Sequence, residues 1–403
     1  MTSLDFLPSL PLVAGDLALI GAILAIGLVS GELFRRLLRL PRISGYLLVG
    51  IALGPGALDL LGRDLLVAAR VVLDVALGLI LYELGSRLDL GWVRRNRWLL
   101  VTSVAESALS FALVYLALRW LAVLPLHAAV AAAIAMSTSP SVLLLVIHDE
   151  RAEGALTEQA LNLTALNNIF AVVTVTMLLA YMHLEYQAGV HIMLLHPVYL
   201  LLGSLAVGYA AAALTVLFAG WLGKREDLQF VMLVSMVLLA VGSALALRVS
   251  VLLTLLAFGV LARNRDRRRV LLPVEFGPAA QFFFVALFVL TGAYLEWKDL
   301  RLVGGAALVY VIARVAGKLL GILVFAPLTG LRVRKAALLG LVLTPMAAVA
   351  VVLVQTTSEI YPAFGAELGA IVLSAVVVLA VAGPIAAQFA FRLAGETHRE
   401  AAR

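Results

Sequence analysis

This sequence predicts an all-α, polytopic membrane protein of about thirteen transmembrane helices, and three observations support that class. The 403 residues are 63% hydrophobic and 13% charged, with a mean hydropathy of +1.08. A soluble domain of this size needs far more charged surface. Apolar runs long enough to cross a bilayer recur from end to end, each with few charges inside it. Basic residues gather in alternate loops, which is the positive-inside pattern.

The runs fall near 16–36, 43–62, 68–88, 98–122, 126–147, 156–181, 191–220, 228–247, 249–263, 276–295, 302–326, 334–356 and 366–392. Arg35, Arg36, Arg39 and Arg42 follow the first run, and Arg87, Arg94, Arg95 and Arg97 the third. Lys224 and Arg225 follow the seventh, Arg263, Arg265, Arg267, Arg268 and Arg269 the ninth, and Arg332, Arg334 and Lys335 the eleventh, while Arg392, Arg399 and Arg403 close the chain. This alternation puts the N-terminus outside and the C-terminus in the cytoplasm; the membrane expected is the inner (plasma) membrane of a bacterium or archaeon. The acidic loop Asp149–Glu153 is the one exception.

The net charge of +6 and pI near 9.7 therefore reflect basic loops facing a bilayer, not a nucleic-acid partner. No cysteine is present, so disulfides and thiolate chemistry are excluded. The histidines show no metal-ligand spacing. No nucleophile–base pattern or phosphate-binding loop stands in a plausible context, so neither an enzyme nor a cofactor is expected. The N-terminal stretch lacks the basic region and cleavage site of a signal peptide. The loops are too short to hold an attached soluble domain.

The fifth run is broken by Thr138, Ser139 and Pro140, and the sixth carries two amides, Asn167 and Asn168, at mid-depth. Irregular backbone and polar side chains are costly in lipid, so together they mark a permeation site. STSPSVLLLV (Ser137–Val146) has an echo in LTPMAAVAVV (Leu343–Val352), broken at Thr344 and Pro345. The two echoes lie in runs five and twelve. Runs one to six and eight to thirteen would then enter the membrane with opposite orientations, with run seven as connector. That is an inverted repeat carrying two discontinuous helices. The Gly304-Gly305 pair reads as a site of close helix packing.

RLLRLPRISGYLLVGIALGPGALDLLG (Arg36–Gly62), LGLILYELGSRLDL (Leu77–Leu90), QFFFVALFVLTGAYLEWKDL (Gln281–Leu300), GKLLGILV (Gly317–Val324), LRVRKAALLGLVLTP (Leu331–Pro345) and VAGPIAAQF (Val381–Phe389) follow one another in order. Together they resemble the monovalent cation:proton antiporter-2 family, whose members are sodium/proton exchanger-like, over nearly the whole chain. The resemblance implies a homodimer with two crossed, broken helices, in which a core slides against a dimerising panel and exchanges sodium or potassium for protons. On this basis residues 1–97 form the first panel part and 98–185 a core part with its break near 138–140. Residues 186–300 supply a connector and the second panel part, and 301–403 a core part broken near 344–345 with a short cytoplasmic tail. The family's basic residue in run eleven matches Lys318. Its ion-binding aspartate is replaced, because Asn167 and Asn168 stand where an Asp-Asp or Asn-Asp pair is usual. Met346, Ala347 and Ala348 stand where an Arg-Gly-Glu or Gly-Glu element is common.

Asparagine can ligate a hard cation through its carbonyl but cannot titrate. Proton exchange therefore needs another group. Lys318 is one candidate, protonated while the site is empty and neutral while a cation occupies it. A displaced carboxylate is the second, with Glu106 the intramembrane choice and Glu83 the alternative, unless Glu83 is simply a local partner of Arg87. The third reading keeps Arg314 and Lys318 as unpaired cations and makes the chain an anion or organic-solute carrier, or a transport-silent sensor. The expected site is Thr138, Ser139, Asn167, Asn168 and Lys318, with Arg314 and Glu106 beside them. A buried acid touching Lys318 or Arg314 weakens the anion reading.

Overall fold

A computed structural model describes residues 16–185, 190–266, 268–272, 278–294, 297–325, 328 and 330–397. The helices are α1 (Asp16–Leu33), α2 (Arg42–Leu53), α3 (Arg63–Ser86), α4 (Leu90–Arg95), α5 (Arg97–Trp120), α6 (Pro125–Ala135), α7 (Pro140–Glu150) and α8 (Ala155–Glu185). They continue as α9 (Val190–Leu222), α10 (Glu226–Ala246), α11 (Val251–Arg265), α12 (Pro278–Ala293), α13 (Trp297–Phe325), α14 (Val333–Val342), α15 (Ala348–Ile360) and α16 (Pro362–Ala394). The all-α class holds, with no β-strand among the described residues. Each apolar run falls on one helix or on one broken pair, and the short α4 lies between runs. Among the described residues, eight spans are long and apolar enough to cross a membrane by length and composition, and the shorter α2, α12 and α15 are apolar as well.

The outer faces carry large exposed apolar side chains, including Val29, Leu116, Trp221 and Val231. On a water-soluble protein so much exposed apolar surface would drive aggregation; here it faces lipid. Buried polar groups concentrate inside the helices that surround the two breaks.

The helices sort into two packing groups. In one, α5 lies along α13, α16 packs on α13, α14 and α15, and α8 packs on α6. In the other, α2 lies along α12, α3 along α11, and α9 along α10 and α11. The closest approach in the first group needs glycine at two places. A Cβ on Gly317 would sit 2.5 Å from the Ser110 Cα, and one on Gly321 would sit 2.3 Å from the Glu106 Cα. These glycines, one turn apart, bring α13 against α5 at the level of Lys318. Gly304 and Gly305 do not have the packing role expected of them, because a Cβ there meets nothing within 4 Å.

The first group is tied together at one end by a carboxylate. Glu396, just beyond α16, accepts from the Leu156 and Thr157 backbone N–H groups and the Thr157 hydroxyl at 2.9–3.1 Å, and from Lys335 Nζ at 3.0 Å. It therefore caps the N-terminus of α8 from a distant part of the chain. Burial pushes the Glu396 carboxyl up, but the two N–H groups, Lys335 and the hydroxyl outweigh burial and hold it below the usual carboxylate value. The folded state thus gains stability from its charged form above the unfolded pKa of ~4.3 and loses it as pH falls through the lower folded value. Glu396→Ala should cost about 1 kcal/mol at neutral pH. The deficit should shrink below pH ~4.3, as read by unfolding midpoints of the two proteins across pH.

Candidate functional site

Two proline-linked breaks place the site. The chain leaves helical geometry between Ala135 and Pro140, and again between Val342 and Ala348. Proline lacks an N–H and is favoured at the first position of a helix, so Pro140 starts α7 while the segment before it stays extended. Ser139 is the N-cap of α7, its hydroxyl accepting from Val142 N at 3.4 Å. The two breaks touch: Ser139 N donates to Pro345 O at 2.9 Å, and the Thr138 hydroxyl lies 3.4 Å from Leu343 O. Gly383 of α16 lets this crossing pack closely, since a Cβ there would lie 2.6 Å from the Pro345 Cα.

One face of α13 serves the crossing. Tyr310, Arg314 and Lys318 are spaced four residues apart and so project along one stripe. The Tyr310 hydroxyl donates to Ala131 O at 3.1 Å. Arg314 donates to Ala135 O at 3.0 Å, Ser137 O at 2.7 Å, Thr344 O at 2.6 Å and Pro345 O at 3.5 Å. Lys318 Nζ donates to Met136 O at 3.2 Å and to Glu106 Oε1. Arg314, Lys318 and Glu106 are all fully buried. Arg314 thus supplies N–H donors to the open C-terminal ends of α6 and α14 together, each equivalent to roughly half a negative charge. Glu106 compensates Lys318, and the two helix ends compensate Arg314.

Asn167 and Asn168 make different contacts. Asn167 Oδ1 lies 3.3 Å from the Ser103 hydroxyl and 3.1 Å from the Ser107 hydroxyl, while its Nδ2 donates to Thr138 Oγ1 at 3.3 Å. Asn168 Nδ2 donates to Thr138 O and Thr164 O, both at 2.8 Å, and its buried Oδ1 has no partner. The Ser107 hydroxyl also lies 3.4 Å from Glu106 Oε2. A polar chain therefore runs from the Lys318–Glu106 pair through Ser107 and Asn167 to Thr138 and Asn168.

The structure thus brings Thr138, Ser139, Asn167, Asn168, Lys318, Arg314, Glu106, Thr344 and Pro345 to one place. Glu83 is elsewhere, on α3, with Oε1 2.7 Å from Arg87 Nη2. Tyr310, Ser103, Ser107 and Thr164 also belong to this neighbourhood but escape a reading of the sequence alone. The four-residue spacing of Tyr310, Arg314 and Lys318, of Ser103 and Ser107 on either side of Glu106, and of Thr164 and Asn168 is the signal that could have found them. Among the described residues, no group of three or more His, Asp or Glu side chains could hold a metal ion.

Two broken helices crossing inside a polytopic bundle, with buried charge at the crossing, define a secondary transporter of the inverted-repeat kind. Residues 21–392 match the family described as "Sodium/hydrogen exchanger, transmembrane", and the chain belongs to that family. It is a membrane transport protein and not an enzyme. Among solved structures it is similar to the sodium proton antiporter MjNhaP1 of Methanocaldococcus jannaschii at pH 8, with a TM-score of 0.70 at 16% identity, over 95% of this chain and 98% of that one. An electron-microscopy structure of the same antiporter gives a TM-score of 0.71 at 16% identity, over 96% and 100%. The two share a fold. No curated protein matches.

Proposed function

We propose that the protein is a cation:proton antiporter that exchanges sodium or potassium for protons by alternating access. The observation that carries this reading is the buried Lys318–Glu106 pair, joined through Ser107 and Asn167 to the crossing. It provides the titratable group that Asn167 and Asn168 cannot. The cation takes the unpartnered Asn168 Oδ1 with oxygens of the Thr138–Ser139 break. Its charge displaces one proton from Lys318 Nζ to water, and the Glu106 carboxylate then balances the bound cation. When the cation leaves, Lys318 takes a proton back, so the buried charge is the same in both states. The anion-carrier reading needs an unpaired cation, whereas Glu106 touches Lys318 and carbonyls surround Arg314.

The two packing groups support the division into parts. Residues 98–185 and 301–403 form the moving core, and 1–97 and 186–300 form the panel through which two copies associate. Arg42 of α2 and Asp149 of α7 approach to 3.8 Å between the groups, and such a pair must separate when the core slides. The end bearing Arg87, Lys224 and Arg269 faces the cytoplasm, with the N-terminus outside, in the plasma membrane.

The test is reconstitution into vesicles holding a pH dye, with sodium, potassium, lithium or anions added in turn. Cation-dependent proton flux is expected; its absence from the wild type would sink the proposal. Asn168→Asp should strengthen sodium/proton exchange by at least about tenfold at limiting sodium, because a carboxylate replaces a neutral oxygen at the cation position. No gain in that variant would mean Asn168 is not at the cation.

A further inference from the structure

Away from the crossing, a cavity of about 680 Å³ opens between α3, α8 and α11 on the basic end of the bundle. Four acidic and four basic side chains line it, so its overall charge selects no ion. Two of the lining side chains each carry a buried oxygen that does. Glu83 is 2% exposed; Arg87 holds Oε1 at 2.7 and 3.2 Å, and Oε2 has no partner. Asn162 is 9% exposed; its Nδ2 donates to Glu158 O at 2.8 Å, and its Oδ1 has no partner. A buried carboxylate oxygen and a buried amide oxygen without donors are both costly, and each is an acceptor that a hard cation satisfies.

We propose that this cavity holds a second cation site, in which Glu83 of α3 and Asn162 of α8 take a monovalent cation before it reaches the crossing. Arg87 is the resident counter-ion. Its side chain is 46% exposed, against 3% for Glu83, so it can swing to water at little cost while Glu83 stays in place. Incoming cation and Arg87 then compete for one carboxylate. Further along α8, the Thr164 hydroxyl and Asn168 Oδ1 are also buried without partners. From Asn162 to Asn168 the helix rises ~9 Å, so acceptors recur from the cavity to the crossing. Glu83 and Asn162 also belong to different packing groups, so a sliding motion would separate the two ligands and release the ion.

The identity of the ligand rests on the antiport reading, so the test measures binding as well as flux. Radioactive sodium and rubidium are bound at equilibrium to the purified full chain in detergent, for wild type, Glu83→Gln, Arg87→Gln and Asn162→Leu. Arg87→Gln should bind roughly fivefold tighter, because its competitor is gone. Glu83→Gln and Asn162→Leu should bind more weakly by a similar factor. A merely structural Glu83–Arg87 pair predicts a loss of thermal stability in both variants, larger in Arg87→Gln because it leaves the buried Glu83 charge alone, and no opposite shifts in affinity. If Glu83→Gln and Arg87→Gln bind as wild type does, or shift in the same direction, the second site is overturned even when wild-type flux is present. If the opposite shifts occur and no flux is seen, the site stands and the antiport reading falls.

Discussion

Replacing Glu106 by Gln should abolish cation-dependent proton flux, reducing it to the level of protein-free vesicles, and should also weaken the fold. Both effects come from one contact. Lys318 Nζ donates to Glu106 Oε1 where neither side chain is exposed to solvent. Removing one partner of a buried ion pair leaves the other charge uncompensated, at a cost of about 3–5 kcal/mol. The variant can avoid much of that cost only by keeping Lys318 neutral, which removes the proton that the exchange needs. Stability alone cannot separate a transport role from a structural one, so the double variant Glu106→Gln/Lys318→Gln matters. With both charges gone it should recover much of the stability lost in the single variant, yet remain inactive. Flux in the double variant would show that the pair is structural and that the proton travels elsewhere. Full stability in Glu106→Gln would show that Lys318 is neutral there or that the Met136 carbonyl alone holds its charge.

Much of this arrangement is legible in the residues. Apolar runs interrupted by basic loops give the spans, because lipid requires every span to satisfy its own backbone. Thr138–Pro140 and Thr344–Pro345 mark the breaks because proline removes a helix hydrogen bond and crowds the preceding turn, although Pro197 in α9 and Pro384 in α16 stand inside unbroken helices. The contacts of the buried charges are not legible in the same way. Glu106 and Lys318 are 212 residues apart in the chain, and Arg314, four residues from Lys318 on the same helix, is in the sequence an equally good partner for Glu106. What selects Lys318 as the partner is the approach of α5 to α13 at Gly317 and Gly321, a distance set by missing side chains. Gly304 and Gly305 look like equally good packing glycines in the sequence but have open space in front of them. The two adjacent amides mislead in a similar way. Both invite the reading of cation ligands, yet Asn167 has both polar atoms engaged, and only Asn168 has an oxygen to spare.

Arg314→Gln should destabilise the crossing more than any other single change on α13 except those at the Lys318–Glu106 pair. Its guanidinium reaches carbonyls of both broken helices, on residues as far apart in the chain as Ala135 and Pro345. Hydrogen bonds to a charged donor contribute about 1.5–3 kcal/mol each, and the carbonyls left behind are buried. A loss of about 3–5 kcal/mol is expected after partial relaxation. Arg314→Lys keeps the charge that opposes the two helix ends but presents one nitrogen in place of a planar fork, so it cannot serve both ends together. It should therefore fall between wild type and Gln in stability. The loss should be local as well as global. Hydrogen exchange at the Ser139 amide, which donates across the crossing to Pro345, should speed up before exchange in α9 or α10 does. If Arg314→Lys matches wild type in both unfolding midpoint and Ser139 exchange, charge alone holds the helix ends and the fork is dispensable. If Arg314→Gln also matches wild type, the two breaks are held together by Thr138, Ser139 and Gly383 without help from α13.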